Sequence, residues 1–421
     1  MFPVSAEEFL NILVLNCGTA SVKFQVAAVD PERLTIDGHH SLARGTVGPV
    51  GGEAELRVDV PGRPLENKSV WPSTHEAAVR RIIEWCHDAG LFFDAVGHRL
   101  LHGGERFTRP TLIDESVIAS LEILQELSPL HSGPGLAGVR VARAAFNSDI
   151  PMVAVFDTAF HVTMPERACL YALPRDLGRR LGLRRFGSHG ISYRWLVSRY
   201  SHLAGIPESR ATFVAFHLGE GCSAAAIAGG KSIDTSMGLT PQDGLIMGTR
   251  SGDVDASVLT YLERTQGLTP EELDHLLNEE SGLKGLSGLS HDMRVLMGRA
   301  KDHSGARLAA DTFCYRARKY LGAYIAALGG ADAVVFSGGI GENLPAVRAR
   351  ICEGMEWCGL EIDPEANRRT VGIEGEIGAR RARLRVFVIP TDEEAVIARE
   401  TAACLLQMAG YGRSSLRTAR I

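Results

Sequence analysis

The sequence has few cysteines, no long apolar run and no excess of positive charge. Its eight cysteines form no CxxC pair, which excludes a zinc ribbon and a dithiol redox motif. No apolar run reaches the ~18 residues of a membrane span, so we expect no membrane partner. The 45 Lys and Arg residues are outnumbered by 50 Asp and Glu, which argues against a nucleic-acid partner. The N-terminus carries Glu7 and Glu8 without an apolar core, unlike a secretory signal. We therefore expect a reduced, cytoplasmic protein.

Signals for several common enzyme sites are also missing. The GGKS at Gly229–Ser232 is not a P-loop, because Ala225 stands where that motif needs glycine. No GxGxxG follows a strand, and no GxSxG nucleophile elbow occurs. His98 and His102 are spaced like zinc ligands but lack the glutamate of a zinc protease. What remains is ordinary globular composition, with 45% hydrophobic and 23% charged residues in a length that suggests two or three domains.

One pattern of apolar run, small-residue turn and second apolar run occurs twice. The first copy comprises Ile12–Leu15, the turn Asn16–Ser21 and the stretch VKFQVAAV. The second lies in Phe213–Asp234, FVAFHLGEGCSAAAIAGGKSID. Because short apolar runs bounded by turns are typical of buried strands, the pattern indicates a duplicated β-turn-β unit. Chance similarity of two hairpins is the alternative on these residues alone.

Other strand-like runs end in polar residues and alternate with helical patterns. The runs are Ala95–His98, Met152–Phe156, Ala333–Phe336 and Arg385–Ile389. The helical patterns are Ser116–Leu127, Ser257–Arg264, Leu308–Leu328 and Glu394–Met408. This alternation predicts an α/β fold. Ligands of such folds bind beyond the carboxyl ends of strands, which is where the polar residues fall.

Three glycine-containing turns favour a phosphoryl-transfer site. NCGTAS, HLGEGCS and SGGIGEN each expose backbone N–H groups that can hold phosphate oxygens. Tight hairpins use the same residues, so one such turn alone would mean little. Phosphoryl transfer also needs concentrated positive charge and a magnesium-binding carboxylate. The cationic candidates are Lys23, Arg99, His189 and Arg250, and the carboxylate candidates are Asp157, Glu393 and Glu394.

The chain resembles the acetate/propionate kinase family from about Asn11 to Ala403. Long motifs carry the resemblance in the order expected for the family, and the one beginning at Asp234 is the most specific. They are LNCGTASVKF, GHRLLHGGE, SPLHSGPG, VFDTAFHVTMP, HLGEGCSAAAI, DTSMGLTPQDGLIMGTRSGDVD, SGLKGLSGLSHDMR, VVFSGGIGENLPAVR and VIPTDEEAVIA.

The resemblance implies a fold, an activity and partners. The fold would be a duplicated α/β fold of the ribonuclease-H-like kind, shared with actin, sugar kinases and chaperone ATPases, with two domains around a cleft. Residues 1–158 with 395–421 would form the first domain and 159–394 the nucleotide-binding domain. The activity would be reversible, in-line phosphoryl transfer from ATP to acetate, giving acetyl phosphate and ADP. Mg²⁺, replaceable by Mn²⁺, would be the cofactor, and the protein would be a homodimer.

The resemblance also implies roles for individual residues. The catalytic residues would be Asp157, His189 and Arg250. The substrate-binding residues would be Arg99, Leu101, His131, Ser188 and Pro241. The nucleotide-binding residues would be Lys23, His217, Leu218, Gly219, Glu220, Gly221, Asp292, Met293, Arg294, Gly339, Ile340, Gly341, Glu342 and Asn343. The metal ligands would be Asn16 and Glu393.

These roles agree with the chemistry of the reaction. A carboxylate is already an anion near neutral pH, so it needs no strong base to attack phosphorus. The obstacle is repulsion between two anions, which Arg99 and Arg250 would offset with planar guanidinium groups suited to carboxylate and phosphate.

The sequence departs from the family pattern at several informative places. Glu220 in HLGEG replaces the asparagine of HLGNG and adds negative charge where nucleotide phosphates bind. Ser188 in FGSHGISY replaces the phenylalanine of YGFHGTSH, an acyl-pocket wall. LHNPPN becomes LHSGPG, and Ala20 in NCGTAS removes one hydroxyl of NCGSSS. Three interpretations follow: an ordinary acetate kinase with compensating changes, a kinase for another carboxylate or for a donor such as pyrophosphate, and a nucleotide-dependent binding module.

Overall fold

The computed structural model describes residues 9–35, 37–125, 129–146 and 150–408, with only the backbone of 129–132. The chain folds as two compact units. The first comprises the residues up to Ala159 together with those from Asp392 onward, and the second comprises Phe160–Thr391. Three predictions concern residues outside the described ranges. They are the absence of a secretory signal in residues 1–8, the end of a helix at 126–127 and the basic tail after 409.

The strands and helices alternate along both units. The strands are β1 (Leu10–Cys17), β2 (Val22–Val29), β3 (His39–Gly48), β4 (Ala54–Asp59), β5 (Glu66–Val70), β6 (Ala95–Leu100), β7 (Thr111–Leu112), β8 (Met152–Phe156), β9 (Thr212–Leu218), β10 (Cys222–Ala228), β11 (Lys231–Thr235), β12 (Ala333–Ser337), β13 (Gly375–Glu376) and β14 (Arg385–Val388). The α-helices are α1 (His75–Asp88), α2 (Glu115–Gln125), α3 (Pro129–Phe146), α4 (Glu166–Cys169), α5 (Arg175–Leu181), α6 (Gly190–Ala204), α7 (Ala256–Gln266), α8 (Pro270–His275), α9 (Gly282–Ser287), α10 (Met293–Arg299), α11 (Ser304–Leu328), α12 (Gly338–Asn343), α13 (Pro345–Cys352), α14 (Pro364–Arg369) and α15 (Glu393–Gln407). Short 3₁₀ helices cover Asp157–Thr163, Glu208–Arg210 and Glu356–Cys358, and a π-helical turn covers Leu276–Glu280.

The same five-stranded arrangement occurs in both units. The first sheet has the order β5-β4-β3-β2-β1-β6-β8-β7 and the second the order β11-β10-β9-β12-β14-β13. In each, one strand pairs antiparallel with the next along the chain and parallel with a later one: β1 with β2 and β6, and β9 with β10 and β12. The segments β3-β2-β1-β6-β8 and β11-β10-β9-β12-β14 therefore correspond strand for strand. The predicted duplicated α/β fold is confirmed, and it extends well beyond the two hairpins seen in the sequence.

Helices cover both faces of each sheet. In the first unit, α3 packs on β1 and β6, and α15 packs on β1, β2, β6 and β8. In the second, Val214 and Phe216 of β9 join the apolar cluster that includes Phe313 of α11. The alternate residues Phe213 and Ala215 join another cluster with α6. This alternation follows from the two-residue period of a strand.

The GGKS sequence forms a hairpin turn. Ala228 pairs with Lys231 across β10 and β11, so Gly229 and Gly230 make a two-residue loop. Both glycines have positive φ, 58° and 71°, as this type of turn requires. A P-loop joins a strand to a helix, so the exclusion made from the sequence is confirmed.

In the part of the chain that the structure describes, every helix is too short or too polar to cross a bilayer.

Burial of His98 predicts a loss of stability in acid. The side chain lies on β6, 1% exposed, and neither ring nitrogen has a hydrogen-bonding partner. Burial lowers the pKa of His98 to about 3, so the folded state stays neutral where the unfolded chain takes up a proton. The stability contributed by the neutral ring is therefore full above about pH 6.5 and is lost progressively as the pH falls. Between pH 6.5 and 4 the loss is about 3 kcal/mol at 1.36 kcal/mol per unit.

Urea unfolding of the wild type and of His98→Leu at pH 7 and pH 4 measures the contribution of His98 to the free energy of unfolding. We expect the wild type to lose more stability on acidification than the variant. His87→Leu is the control, because the His87 side chain is 90% exposed and should not change the pH dependence. Equal acid sensitivity of the wild type and His98→Leu would contradict the assignment.

Candidate active site

A buried ion pair lies at the ends of neighbouring parallel strands of the first unit. Arg99 is on β6 and Asp157 directly follows β8, and Arg99 Nη2 donates to Asp157 Oδ2 at 2.6 Å. The two side chains are 15% and 0% exposed. Burial opposes the charge of Arg99, but the carboxylates of Asp157 and Glu393 outweigh it and raise the pKa of Arg99. Arg99 is thus a fixed, permanently charged guanidinium.

Strand β1 and helix α15, which are far apart in the sequence, meet beside this pair. Asn16 ends β1 and is 4% exposed, and Glu393 and Glu394 begin α15, where Asp392 caps the helix by accepting from Ala395 N. The amide Nδ2 of Asn16 donates to Glu393 Oε2 at 2.9 Å and to Glu394 Oε1 at 2.7 Å. Burial raises the pKa of Glu394, and nearby charge from Lys23, which is paired with Asn16 across β1 and β2, opposes this.

These donors fit a magnesium ion. Amide and carboxylate oxygens are the hard ligands that Mg²⁺ prefers, and it is usually held by one or two carboxylates together with water and substrate phosphates. Within the described residues, no cluster of three or more His, Cys, Asp and Glu side chains is gathered in a way that would hold a metal by itself. Asn16 and Glu393 lie together as predicted, and Glu394 lies equally close to Asn16.

In the second unit, His189 has an unusual backbone conformation. Its φ of 55° and ψ of 22° lie in the left-handed region, which residues other than glycine seldom adopt. The residue precedes α6, its Nδ1 lies 2.8 Å from Ser223 Oγ, and its ring stacks on His217 with a centroid distance of 4.1 Å. Such strain is retained where the surroundings hold the residue in place.

Arg250 approaches the same point from another loop. Its Nη1 donates to the carbonyl oxygen of Pro241 at 2.7 Å. A Cβ built on Gly221 would lie 2.7 Å from Arg250 Nη2 and 3.4 Å from His189 Nε2. The guanidinium and the imidazole therefore converge beside Gly221, where a Cβ would displace the end of the Arg250 side chain. Burial lowers the pKa of Arg250, and Glu220 is among the groups that oppose this, so Glu220 acts on this guanidinium.

Three predicted loops form one pocket of about 380 Å³ in the second unit. The predicted residues that line it are Gly219, Glu220, Asp292, Met293, Arg294, Gly339, Ile340 and Asn343. His291 and Leu344 also line it and were missed. Arg294 Nη2 donates to Asp292 Oδ2 at 2.7 Å, and Asp292 also caps α10.

Other predicted nucleotide-binding residues take structural positions. Leu218 is fully buried in the core. The carboxylate of Glu342 accepts from Gly338 N at 2.8 Å and from Thr391 N at 3.1 Å, so it ties α12 to the end of the unit. His217, Gly221, Gly341 and Glu342 do not line the pocket.

The remaining predicted substrate residues are dispersed over several elements. Leu101 follows β6, and its carbonyl oxygen accepts from Thr158 N at 3.4 Å. Ser188 is 2% exposed, and its carbonyl oxygen lies 2.9 Å from His161 Nε2. His131 lies within α3, and its side chain falls outside the described residues.

The residues that hold the predicted site residues in place were not identified from the sequence. Ser223, Tyr193 and His161 contact the segment around His189. Arg348 holds α12 by donating to the carbonyl oxygens of Gly341 and Glu342. Ser223 and Arg348 lie within motifs that carried the resemblance, but motif membership gives no contact, so the signal was too coarse to identify them.

The duplicated α/β fold and the glycine-lined pocket place the chain among the two-unit α/β kinases. The chain belongs to the Acetokinase family, whose sequence model matches residues 11–399. It is 46% identical over 408 residues to an acetate kinase of Solibacter usitatus, an alignment that covers 94% of this chain and 99% of that one. The resemblance drawn from the motifs is confirmed.

Solved structures agree with this assignment. The crystal structure of Porphyromonas gingivalis acetate kinase is 39% identical, with a TM-score of 0.83 over 94% of this chain and 100% of that chain. A propionate kinase from Francisella tularensis is 34% identical, with a TM-score of 0.84 over 93% and 98%.

Proposed function

We propose that the chain is a carboxylate kinase that transfers the γ-phosphoryl group of ATP to acetate, reversibly, giving acetyl phosphate and ADP. The observation that carries the proposal is the convergence of Arg250 and His189 beside Gly221, in the unit whose pocket is lined by Gly219 and Gly339. Two basic groups held at one point suit a transferring phosphoryl group, whose equatorial oxygens carry negative charge.

The proposed reaction needs charge stabilisation and no proton transfer. A carboxylate oxygen of acetate attacks the γ-phosphorus while the bond from that phosphorus to the β,γ-bridging oxygen breaks, and the electron pair leaves with ADP. Arg250 and His189 stabilise the transferring group by preorganised donors that need no reorganisation. Arg99, held in one orientation by Asp157, binds an anionic oxygen of the substrates.

Asn16, Glu393 and Glu394 would hold Mg²⁺, and Lys23 would contact a phosphate. The bound ion would neutralise charge on the nucleotide phosphates. The residues of this chain supply the oxygen donors at the start of α15 and the end of β1.

A hydroxylamine trap tests the function directly. With ATP, Mg²⁺ and acetate, we expect the hydroxamate formed from acetyl phosphate to accumulate in proportion to enzyme, and none to form without acetate. Parallel reactions with propionate and with pyrophosphate test the other carboxylate and the other donor. No hydroxamate with any pair of substrates would overturn the proposal and favour a nucleotide-dependent binding module.

Glu220 favours a second candidate, a kinase with weak affinity for ATP. Glu220 lines the pocket, in which Asp292 is already paired with Arg294, so Glu220 adds a negative charge where phosphates are proposed to bind. Repulsion of about 1 kcal/mol corresponds to about fivefold in affinity. We therefore predict that Glu220→Asn lowers KM for ATP about fivefold at saturating Mg²⁺ and acetate.

Glu279→Gln is the matched control, because Glu279 also acts electrostatically on Arg250 but does not line the pocket. We expect little change in KM for ATP in this variant. An unchanged or higher KM in Glu220→Asn would show that Glu220 has a structural role instead.

A second copy of the chain is the proposed partner. Helix α7 buries none of its residues, and Val258 and Tyr261, three residues apart on one face, are 43% and 55% exposed. We expect light scattering to give twice the 45.4 kDa of the chain, and Tyr261→Glu to shift the mass toward the monomer. A wild-type mass equal to one chain would exclude the homodimer.

A reducing compartment such as the cytoplasm is the proposed location. All eight cysteines are free thiols, and seven of them are buried. Titration of the denatured protein without reductant should find eight thiols, and a lower number would contradict this proposal.

A further inference from the structure

A chain of three hydrogen-bonding side chains ends on the His189 ring. His189 Nδ1 lies 2.8 Å from Ser223 Oγ, and Ser223 Oγ lies 2.5 Å from the hydroxyl oxygen of Tyr193. Both Ser223 and Tyr193 are fully buried. Ser223 is on β10 and Tyr193 is on the first turn of α6, so the sheet and the helix fix the distance between the two hydroxyl groups.

The acidity of the groups sets the direction of the hydrogen bonds. The distance alone allows either hydroxyl to donate, but a phenol is more acidic than an aliphatic hydroxyl, so we take Tyr193 as the donor and Ser223 Oγ as the acceptor. The hydroxyl hydrogen of Ser223 is then directed to His189 Nδ1, which must accept it. A neutral imidazole that accepts at Nδ1 carries its proton on Nε2.

The protonated nitrogen is the one that faces Arg250. The position of a Cβ on Gly221 lies 3.4 Å from His189 Nε2 and 2.7 Å from Arg250 Nη2. A proton on Nε2 therefore places a hydrogen-bond donor beside Gly221, where Arg250 also presents one. With the other tautomer, Nε2 would present a lone pair there and repel phosphoryl oxygens.

The backbone around His189 is held separately. His161 lies with Nε2 2.9 Å from the carbonyl oxygen of Ser188 and Nδ1 2.8 Å from Ser232 Oγ. Burial lowers the pKa of His161 to about 4, so this ring stays neutral at physiological pH. His161 therefore holds the main chain at Ser188, whereas Ser223 contacts the His189 side chain.

We propose that Tyr193, acting through Ser223, fixes the Nε2–H tautomer of His189 and so orients a hydrogen-bond donor toward the transferring phosphoryl group. Tyr193 and Ser223 are positioning residues. The inference rests on the proposed function for the role of His189, but the tautomer itself is a property of the protein without substrates. The family motif YGFHGTSH ends in histidine, whereas the corresponding residue of this chain is Tyr193. The tyrosine hydroxyl group is therefore a feature of this chain and not of the family motif.

Nitrogen-15 NMR of the histidine side chains tests the tautomer. At about pH 8.5, two units above the ordinary imidazole value, the wild-type His189 should show a protonated Nε2 and an unprotonated Nδ1. The resonances are assigned by their loss in His189→Gln. In Tyr193→Phe the hydroxyl of Ser223 is free to turn and accept, so we expect the Nδ1–H form to appear. A wild-type spectrum with Nδ1–H, or a Tyr193→Phe spectrum identical to that of the wild type, would overturn the proposal.

Kinetics supplies the second measurement. Removing a partner that orients a metal-binding histidine typically costs about 10- to 100-fold in affinity or activity, and we expect a loss of similar size for a histidine oriented in the same way. We expect Tyr193→Phe to lower kcat by about 10-fold with little change in KM, and Ser223→Ala to lower it at least as much. Tyr200→Phe is the control, since Tyr200 is also buried on α6 but packs on Phe213 and Phe387. An equal loss of kcat in Tyr200→Phe would show that the effect of Tyr193→Phe comes from the packing of α6 and not from the hydrogen bond. If the wild type lacks kinase activity while the NMR result holds, the proposed function fails and the tautomer assignment stands.

Discussion

Arg250→Ala should lower kcat by about 10²–10³-fold or more while leaving the protein folded. Loss of a single preorganised donor to developing charge typically costs this much, and Arg250 presents Nη2 beside Gly221, next to His189 Nε2. The expected loss is in kcat more than in KM, because the guanidinium meets charge that is shared with the acceptor only in the transition state.

Arg250→Lys should be nearly as damaging. In the wild type one nitrogen of the guanidinium donates to Pro241 O while the other lies at Gly221. A lysine has a single ammonium nitrogen and cannot do both. Arg299→Ala is the control, since Arg299 pairs with Asp302 on the surface and is 50% exposed. Steady-state kinetics, with circular dichroism to verify folding, measures the effect. A kcat of Arg250→Ala within a few-fold of the wild-type value would show that Arg250 does not stabilise the transferring phosphoryl group.

Arg348→Met should destabilise the protein by about 3–5 kcal/mol, because several buried acceptors lose their donor at about 1–3 kcal/mol each. Among the residues that the structure describes, Arg348 is the largest fully buried side chain, and burial lowers its pKa to about 10. Its guanidinium makes five hydrogen bonds to uncharged oxygens. The acceptors are Gly341 O, Glu342 O, Asn367 Oδ1, Asn367 O and Thr370 O. Methionine fills a similar volume but leaves these buried acceptors without a donor.

The same substitution should weaken ATP binding, because two of the acceptors belong to α12, whose Gly339, Ile340 and Asn343 line the pocket. Urea unfolding and calorimetric titration with ATP measure the two effects. Arg350→Met is matched in helix and in chemistry, but Arg350 is 35% exposed and pairs with Asp311 on the surface, so it should cost less than about 1 kcal/mol. Similar losses of stability in the two variants would contradict the role given to Arg348.

The sequence was sufficient for the parts of the molecule that local pattern determines. Apolar runs marked the strands, as Met152–Phe156 shows by matching β8 residue for residue. The small-residue turns were placed where the structure has them, and the glycines at 219 and 339 lie in one pocket. Family motifs brought Asn16 and Glu393 together from opposite ends of the chain, which no local pattern contains.

Contacts that depend on tertiary packing could not be predicted from the sequence. Arg348 sits in PAVRARIC, where two arginines two residues apart look alike, and only the fold buries one and exposes the other. The hydroxyl of Tyr193 meets Ser223 across 30 residues because α6 packs on the second sheet. Glu342 is predicted to bind nucleotide, and nothing in the sequence indicated that its carboxylate also accepts from Gly338 N and Thr391 N, 4 and 49 residues away.

The return of the chain to the first unit sets the order in which the protein is completed during translation. Residues 160–391 form one continuous unit, whereas the first unit closes only with α15, the last described helix. That helix fits the sheet so closely that a Cβ on Gly97 would lie 2.5 Å from Thr401 Oγ1. A nascent chain therefore keeps one face of its first sheet uncovered until α15 has left the ribosome, and until then Glu393 and Glu394 cannot join Asn16. Truncation anywhere upstream of α15 leaves an open apolar sheet for chaperones to recognise, so early termination should lead to degradation rather than to a partly active enzyme.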